Sequence, residues 1–262
     1  NMRIMSRILP DVLPQEYTLT LIDRMPFHGL KPEFYALAAG TKSDSDVRMN
    51  FPNSHRVNTI YGEISDIDLD NQIVSVGQTK VDYSELIIGL GCEDKYHNVP
   101  GAKEYTHSIQ TLSKARETFH SISELPKGAR VGIVGAGLSG IELASELRES
   151  RTDLEIILYD RGPRILRNFP EKLSNYIAKW FRENNVNVVP NSLIDKVEQG
   201  TIYNNGTPEP VDIVVWTAGI QPVEIVRKLP IDTNKSGRVI VNQYHQVPTY
   251  KNVYVVGDCA AL

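Results

Sequence analysis

The chain has 262 residues, enough for one large or two medium domains with apolar cores. Its 41% hydrophobic and 23% charged residues argue against disorder, and 28 basic against 32 acidic side chains, with no Lys/Arg block, offer no surface for tracking nucleic acid. No apolar run approaches about 18 residues, so no membrane span is expected, while peripheral membrane contact, which needs only a small patch, stays open. The two cysteines, Cys92 and Cys259, are too few and too far apart for a disulfide framework, a C-x-x-C pair or a zinc site, and no metal site is expected.

In chain order, Asn1 opens straight into a helical pattern over 1–9 with no signal-peptide core, and the far end, Gly257-Asp258-Cys259-Ala260-Ala261-Leu262, is equally abrupt. The chain therefore reads as an internal piece of a longer protein. Residues 17–22 form a short buried strand ending at Asp23. Residues 31–39 carry Phe34, Leu37 and Ala38 at helical spacing. Short strands follow at 59–64, 73–76 and 86–88, separated by turn formers such as Asp70-Asn71. Asn98-Val99-Pro100-Gly101 is a loop, and 111–122 is helical. The pattern then changes to strand 131–134, helix 138–149 and strand 154–159. A helix over 171–184 aligns Leu173, Tyr176, Ile177, Trp180 and Phe181 on one face, most simply as core. Strands at 186–189, 193–198, 211–216 and 253–256 complete the pattern. Alternating strands and helices imply α/β architecture with parallel sheets and crossover helices. We expect two domains, one at 113–248 inserted into another formed by 1–112 and 249–262.

Strand 131–134 runs into Gly135-Ala136-Gly137-Leu138-Ser139-Gly140, a G-x-G-x-x-G turn. Alone the motif is weak, since three glycines at that spacing arise by chance in roughly one chain in ten of this length. Its setting is stronger: an apolar strand precedes it, a helix follows, and Asp160 closes the next strand at the distance of the dinucleotide fingerprint. Gly135 permits the tight turn, Gly137 lets the backbone approach a pyrophosphate, and Gly140 lets helix and strand pack closely. The amides of Leu138 and Ser139 and the positive helix end suit the anion. Asp160 suits a ribose diol and repels a 2′-phosphate, which favours NADH over NADPH, while the neighbouring Arg161 could soften that preference. A glycine-rich turn with no ligand is the competing possibility.

Strand 17–22 ends at Asp23 as strand 154–159 ends at Asp160, which looks like a second dinucleotide fold whose first strand and glycine turn would lie before Asn1. Asp23, with Arg24 beside it, would then grip an adenine nucleotide's ribose; an Asp at a strand end is also a common turn residue. Two such folds, with Trp216-Thr217-Ala218-Gly219-Ile220-Gln221-Pro222 and Tyr254-Val255-Val256-Gly257-Asp258, resemble the two-dinucleotide-fold flavoprotein superfamily of disulfide reductases, ferredoxin reductases and NADH dehydrogenases. The resemblance implies two Rossmann-like three-layer domains, an NAD domain inserted into a truncated FAD domain. Thr217-Ala218-Gly219 is similar to the family's T-x-G connector, which carries Ala218 and Gly219 over as nucleotide contacts. Gly89-Leu90-Gly91 resembles its earlier counterpart and makes Gly91 a flavin contact, and the terminal Gly-Asp implies that Asp258 bonds the ribityl chain.

Within the superfamily the chain looks most like type II NADH:quinone oxidoreductases and bacterial NADH dehydrogenase-like proteins. The stretch Pro26-Phe27-His28-Gly29-Leu30-Lys31-Pro32-Glu33 has no cysteine, so a thiol–flavin relay lacks its parts. Gly140-Ile141-Glu142 is similar to that branch's Gly-Val-Glu. The resemblance implies FAD and NADH as cofactors, hydride transfer to flavin and a quinone-like acceptor. Similarity to the superfamily's ferredoxin-reductase-like branch, where a Lys in this stretch pairs with a Glu on the nucleotide-domain helix, implies Lys31 and Glu142 as a catalytic pair that steadies the reduced flavin and orders the nicotinamide pocket; an exposed lysine and a solvated helix glutamate are the plain alternative. His28 reads as structural, Cys92 as a poor redox candidate and Cys259 as packing. The expected setting is cytoplasmic, with peripheral attachment at the inner face of the cell membrane through a part beyond this chain, and a homodimer stays open. Two rival functions remain: an NADH sensor without fast turnover, and an FAD-dependent NAD(P)H reductase of a ferredoxin- or thioredoxin-like protein.

Overall fold

A computed structural model describes residues 8–51 and 54–262. The expected helix over 1–9 falls largely outside the described residues, and 8–12 are helical. In chain order the principal elements are β1 (Leu19–Asp23), α1 (Phe34–Ala39), β2 (Val57–Tyr61), β3 (Ile64–Asp68), β4 (Ile73–Val76), β5 (Thr79–Asp82) and β6 (Leu86–Ile88). They continue with α2 (Leu112–Ser123), β7 (Arg130–Val134), α3 (Leu138–Ser150), β8 (Glu155–Tyr159), α4 (Glu171–Glu183) and β9 (Val186–Val189). The last are β10 (Ile194–Glu198), β11 (Thr201–Asn204), β12 (Thr207–Pro210), β13 (Ile213–Trp216) and β14 (Tyr250–Val255).

The chain divides into two compact units. The first comprises Asn1–His28, Arg48–Glu93 and Gln221–Leu262, the second Gly29–Val47 and Asp94–Ile220. These bounds differ from the expected 113–248 insertion in three places, the first being residues 29–47, which belong with the second unit. Residues 94–112 belong with the second unit because His107 takes part in its sheet, donating to Val214 and accepting from Trp216, both at 2.8 Å. Residues 221–248 belong with the first because Val226, Val239, Val241 and Val247 share a core with Val253 and Val255. Neither contact leaves a trace in local sequence pattern.

The second unit is built on four parallel strands in the order β9-β8-β7-β13. Numbered by sequence within the sheet, that order is 3-2-1-4, the half-sheet of a doubly wound Rossmann-like fold. Val131–Val134 of β7 and all of β13 are buried, as continuous apolar strands covered on both faces must be. Helix α2 is capped by Thr111, whose hydroxyl accepts from the Lys114 amide. The short 3-10 turn at Lys31–Glu33 precedes helix α1 and shortens the expected helix over 31–39 at its start, and α1 stops, as expected, before the left-handed Gly40. It buries Ala36, Leu37, Ala38 and Ala39, and Ser150 at the end of α3 donates to the Ala39 carbonyl at 2.7 Å.

The stripe on α4 is only partly core. Phe181 is fully buried, but Leu173 is 39% and Tyr176 69% exposed. The buried face is turned toward Ser174, whose hydroxyl donates to the Ile165 carbonyl, so only the part of the apolar line nearest Phe181 packs.

In the first unit β1 pairs in parallel with β2, Asp23 opposite Tyr61, and β6 pairs in parallel with β14. Strands β3, β4 and β5 form an antiparallel sheet. The expected strand over 59–64 is two strands, because the chain turns at Gly62, whose amide donates to the Asp23 carbonyl. The α/β, Rossmann-like class inferred from alternation stands.

Candidate dinucleotide site

Strand β7 ends at Val134 and the chain turns through Gly135-Ala136-Gly137 into α3. Gly135 has φ +106°, and a Cβ there would sit 2.8 Å from the Ala218 Cα. A Cβ on Gly140 would sit 1.9 Å from the Gly135 carbonyl oxygen. Only glycine satisfies both positions, and the spacing follows from one helical turn packed against the strand end. Thr217 locks the arrangement: its amide donates to the Val134 carbonyl at 2.8 Å, and its hydroxyl lies 2.9 Å from the carbonyl oxygens of both Val134 and Gly135.

The mouth of α3 is open. Gly137 is its N-cap, no side chain caps it, and no acid stands in its first turn. Space beyond the Gly137 Cα is clear to 4 Å, Leu138 is 49% exposed and Ser139 half-buried. First-turn amides have no acceptor within the helix, so this end presents donors and a positive dipole to an anion.

Asp160 ends β8 beside the turn. Its Oδ2 accepts from the Ala136 amide at 2.8 Å and its Oδ1 from the Gly162 amide at 2.7 Å. A carboxylate offers about four lone-pair sites, so capacity for a sugar hydroxyl remains. Arg161 is exposed next to it. In the first unit, Asp23 ends β1 with the same local turn, Oδ1 accepting from the Met25 amide at 2.9 Å, and Arg24 is exposed.

Ala218 and Gly219 follow β13, Gly219 at φ +122°. His97, which sequence reasoning passed over, lies with Nε2 2.8 Å from the Ala218 carbonyl, a contact that requires the proton on Nε2. The Lys95 amide donates to the Gly219 carbonyl at 3.0 Å, so residues 95–97 brace this connector; no local signal announces it.

Lys31 and Glu142 both belong to the second unit, Lys31 opening the turn before α1 and Glu142 in the first half of α3. Burial pushes the Glu142 carboxyl above its ordinary range, and the Glu33 carboxylate adds to the shift. The Tyr35 hydroxyl is pushed up by burial and then by Glu142. Glu142 is therefore a half-buried carboxyl among Glu33 and Tyr35 rather than a solvated surface acid.

In the first unit, Gly91 (φ +71°) and Cys92 come to the turn Gly257–Cys259: the Cys92 thiol donates to the Asp258 carbonyl at 3.3 Å, and Asp258 is exposed. Cys259 is buried, its thiol pushed up by burial and donating to the Val256 carbonyl at 3.3 Å, as a packing residue would be. His28 lies in a short strand, Phe27–Gly29, with its ring edge-on to Phe51 at 6.5 Å.

The sequence pattern of the pyridine nucleotide-disulphide oxidoreductases matches residues 12–262. The chain belongs to this family. It is 52% identical over 263 residues to the NADH dehydrogenase-like protein YutJ of Bacillus subtilis, covering 100% of this chain and 74% of that one. It is 22% identical over 290 residues to the type II NADH:quinone oxidoreductase of Staphylococcus saprophyticus, covering 100% and 72%. The fold is that of NDH2 from Plasmodium falciparum, solved in complex with NADH, with TM-score 0.83 and 19% identity over 94% of this chain and 60% of that one. The chain thus spans about three quarters of the Bacillus relative and three fifths of the solved one. This member of the pyridine nucleotide-disulphide oxidoreductases is of the NADH dehydrogenase type, as the cysteine-free stretch at 26–33 implied. Among its described residues no helix is long and apolar enough to cross a membrane.

Proposed function

We propose that the chain is the nucleotide- and flavin-binding part of an oxidoreductase that takes a hydride from NADH and passes electrons to a quinone-like acceptor. Its cofactors are FAD and NADH. The observation that carries this reading is the open amide mouth of α3 with Asp160 at its side: a diphosphate fits the first, an unphosphorylated ribose the second. Gly135 and Gly140 keep side chains out of the turn, so the backbone itself can meet the ligand.

FAD supplies the hydride-accepting chemistry, and the protein binds and orients the partners. Gly135, Gly137, Leu138, Ser139 and Gly140 hold the diphosphate of NADH, Asp160 and Arg161 its adenosine end, and Ala218 and Gly219 the connector beside it. Asp23, Arg24, Gly91 and Asp258 are assigned to FAD, the cysteine-braced Asp258 turn supporting that role. Lys31 and Glu142 are assigned to the reacting end. Burial, with the Glu33 carboxylate beside it, raises the proton affinity of Glu142 above that of an ordinary carboxyl, which supports a role at the reacting end. A quinone-like acceptor implies work at the inner face of the cell membrane.

Titration of the full chain with NADH and NADPH tests the reading. NADH is expected to bind at least about tenfold more tightly, the effect of one repulsive carboxylate–phosphate contact. A chain that binds neither nucleotide refutes it. With FAD added, bleaching of the flavin colour by NADH distinguishes the enzyme from a nucleotide sensor.

A further inference from the structure

We propose, resting on the dinucleotide reading of the same turn, that Asp160 is a positioning residue for the diphosphate as well as a ligand of the sugar. The backbone of the middle residue of Gly135-Ala136-Gly137 is held at both its amide and its carbonyl by the segment that follows β8. Asp160 Oδ2 accepts from the Ala136 amide at 2.8 Å, and the Leu166 amide donates to the Ala136 carbonyl at 3.0 Å. The gripping segment is itself braced. The other Asp160 oxygen accepts from the Gly162 amide at 2.7 Å. The Arg164 guanidinium donates to the carbonyls of Leu166, Arg167 and Phe169 at 3.3, 2.9 and 3.1 Å. Leu166 is buried at φ +48°, a conformation that non-glycine residues hold only where surroundings impose it.

Ala136 is 1% exposed, yet the glycines on either side bring no side chains to stiffen it. The clasp supplies that stiffness from outside the turn. Carboxylate–amide bonds are charge-assisted and among the stronger hydrogen bonds. Amides aimed in advance bind an anion without the cost of ordering them. Loss of the carboxylate therefore loosens the turn and weakens the diphosphate whatever sugar is attached. It follows that a change at Asp160 made to admit a 2′-phosphate also lowers affinity for the rest of the nucleotide.

ADP and 2′,3′-dideoxy-ADP, titrated by calorimetry into the full chain, separate the two roles, since only the first carries the diol. Asp160→Asn is expected to weaken both nucleotides by about tenfold or more, in line with a lost hydrogen bond to a charged group. In the ligand-free chain, exchange of the Ala136 amide is expected to speed up by a similar factor. Asp160→Glu, which keeps the charge if the first variant folds poorly, should retain the preference for ADP over its dideoxy analogue while sharing the faster exchange. Weakened ADP binding with dideoxy-ADP affinity and Ala136 exchange both unchanged overturns the positioning role. A wild-type chain that binds neither nucleotide overturns the dinucleotide reading first, and the positioning role with it.

Discussion

Gly137→Ala and Gly140→Ala lie three residues apart in one motif, and the geometry gives them opposite consequences. At Gly140 the new Cβ would stand 1.9 Å from the Gly135 carbonyl oxygen and 2.8 Å from the Thr217 hydroxyl oxygen, where real Cβ atoms keep at least 3.0 Å. The first obstacle is backbone, so about 1.1 Å must open between the start of α3 and the turn. Forced overpacking of this kind costs about 1–3 kcal/mol. A displacement on the order of 1 Å of the aimed amides can cost up to roughly a hundredfold in function. At Gly137 the backbone already has φ −76°, and a Cβ meets nothing within 4 Å. Alanine there should leave stability within about 1 kcal/mol, a small N-cap loss set against reduced freedom of the unfolded chain. NADH binding should still fall by about tenfold or more, because the methyl occupies the surface the diphosphate must reach. Urea denaturation and NADH titration of both variants provide the readout. Wild-type NADH affinity in Gly137→Ala would falsify the assignment of this open surface to the diphosphate. Wild-type stability in Gly140→Ala would remove the steric account of the motif's third glycine.

Two further outcomes follow from single side chains. The Glu142 carboxyl is held up first by burial and then by Glu33, so the folded chain takes its proton at a higher pH than the unfolded chain, whose value is near 4.5. The destabilisation from ionising it is absent below that value and complete above the folded one. Glu142→Gln should therefore raise the urea midpoint in mildly alkaline buffer and lose that advantage in acid; a pH-independent difference would contradict it. Thr217→Val removes the hydroxyl that lies against the Val134 and Gly135 carbonyls and should cost about 1–2 kcal/mol, with Thr217→Ser close to wild type by the same denaturation assay.

The glycine turn between β7 and α3 was legible because its physics is local: one strand end, one helix start and one acid at fixed spacing carry it. Strands such as β4, β6 and β9 were readable for the same reason, as apolar runs between turn formers. The antiparallel sheet β10-β11-β12 was read only in its first strand, although Asn205-Gly206, both at positive φ, marks its turn. Pro208 and Pro210 make β12 look unlike a strand, yet an edge strand tolerates them. The exposed Leu173 and Tyr176 on α4 show that an apolar stripe records composition, not the face a neighbour covers. What joins residues distant in the chain was not readable at all: the bracing of Ala218 by His97, the hold of Leu166 on Ala136, and the membership of 29–47 in the second unit.

That membership bears on synthesis. Helix α1 covers α3, yet some hundred residues separate them, and the rest of the sheet is complete only at Trp216. A ribosome adding about 5–20 residues per second leaves α1 exposed for roughly 5–20 s before α3 exists to receive it. A fragment starting at Asp94 would lack this cover entirely. The apolar Phe34–Ala39 segment thus waits for a partner encoded about a hundred residues later, and a shortened version that carries only one of the two segments is expected to expose apolar surface that the folded chain buries.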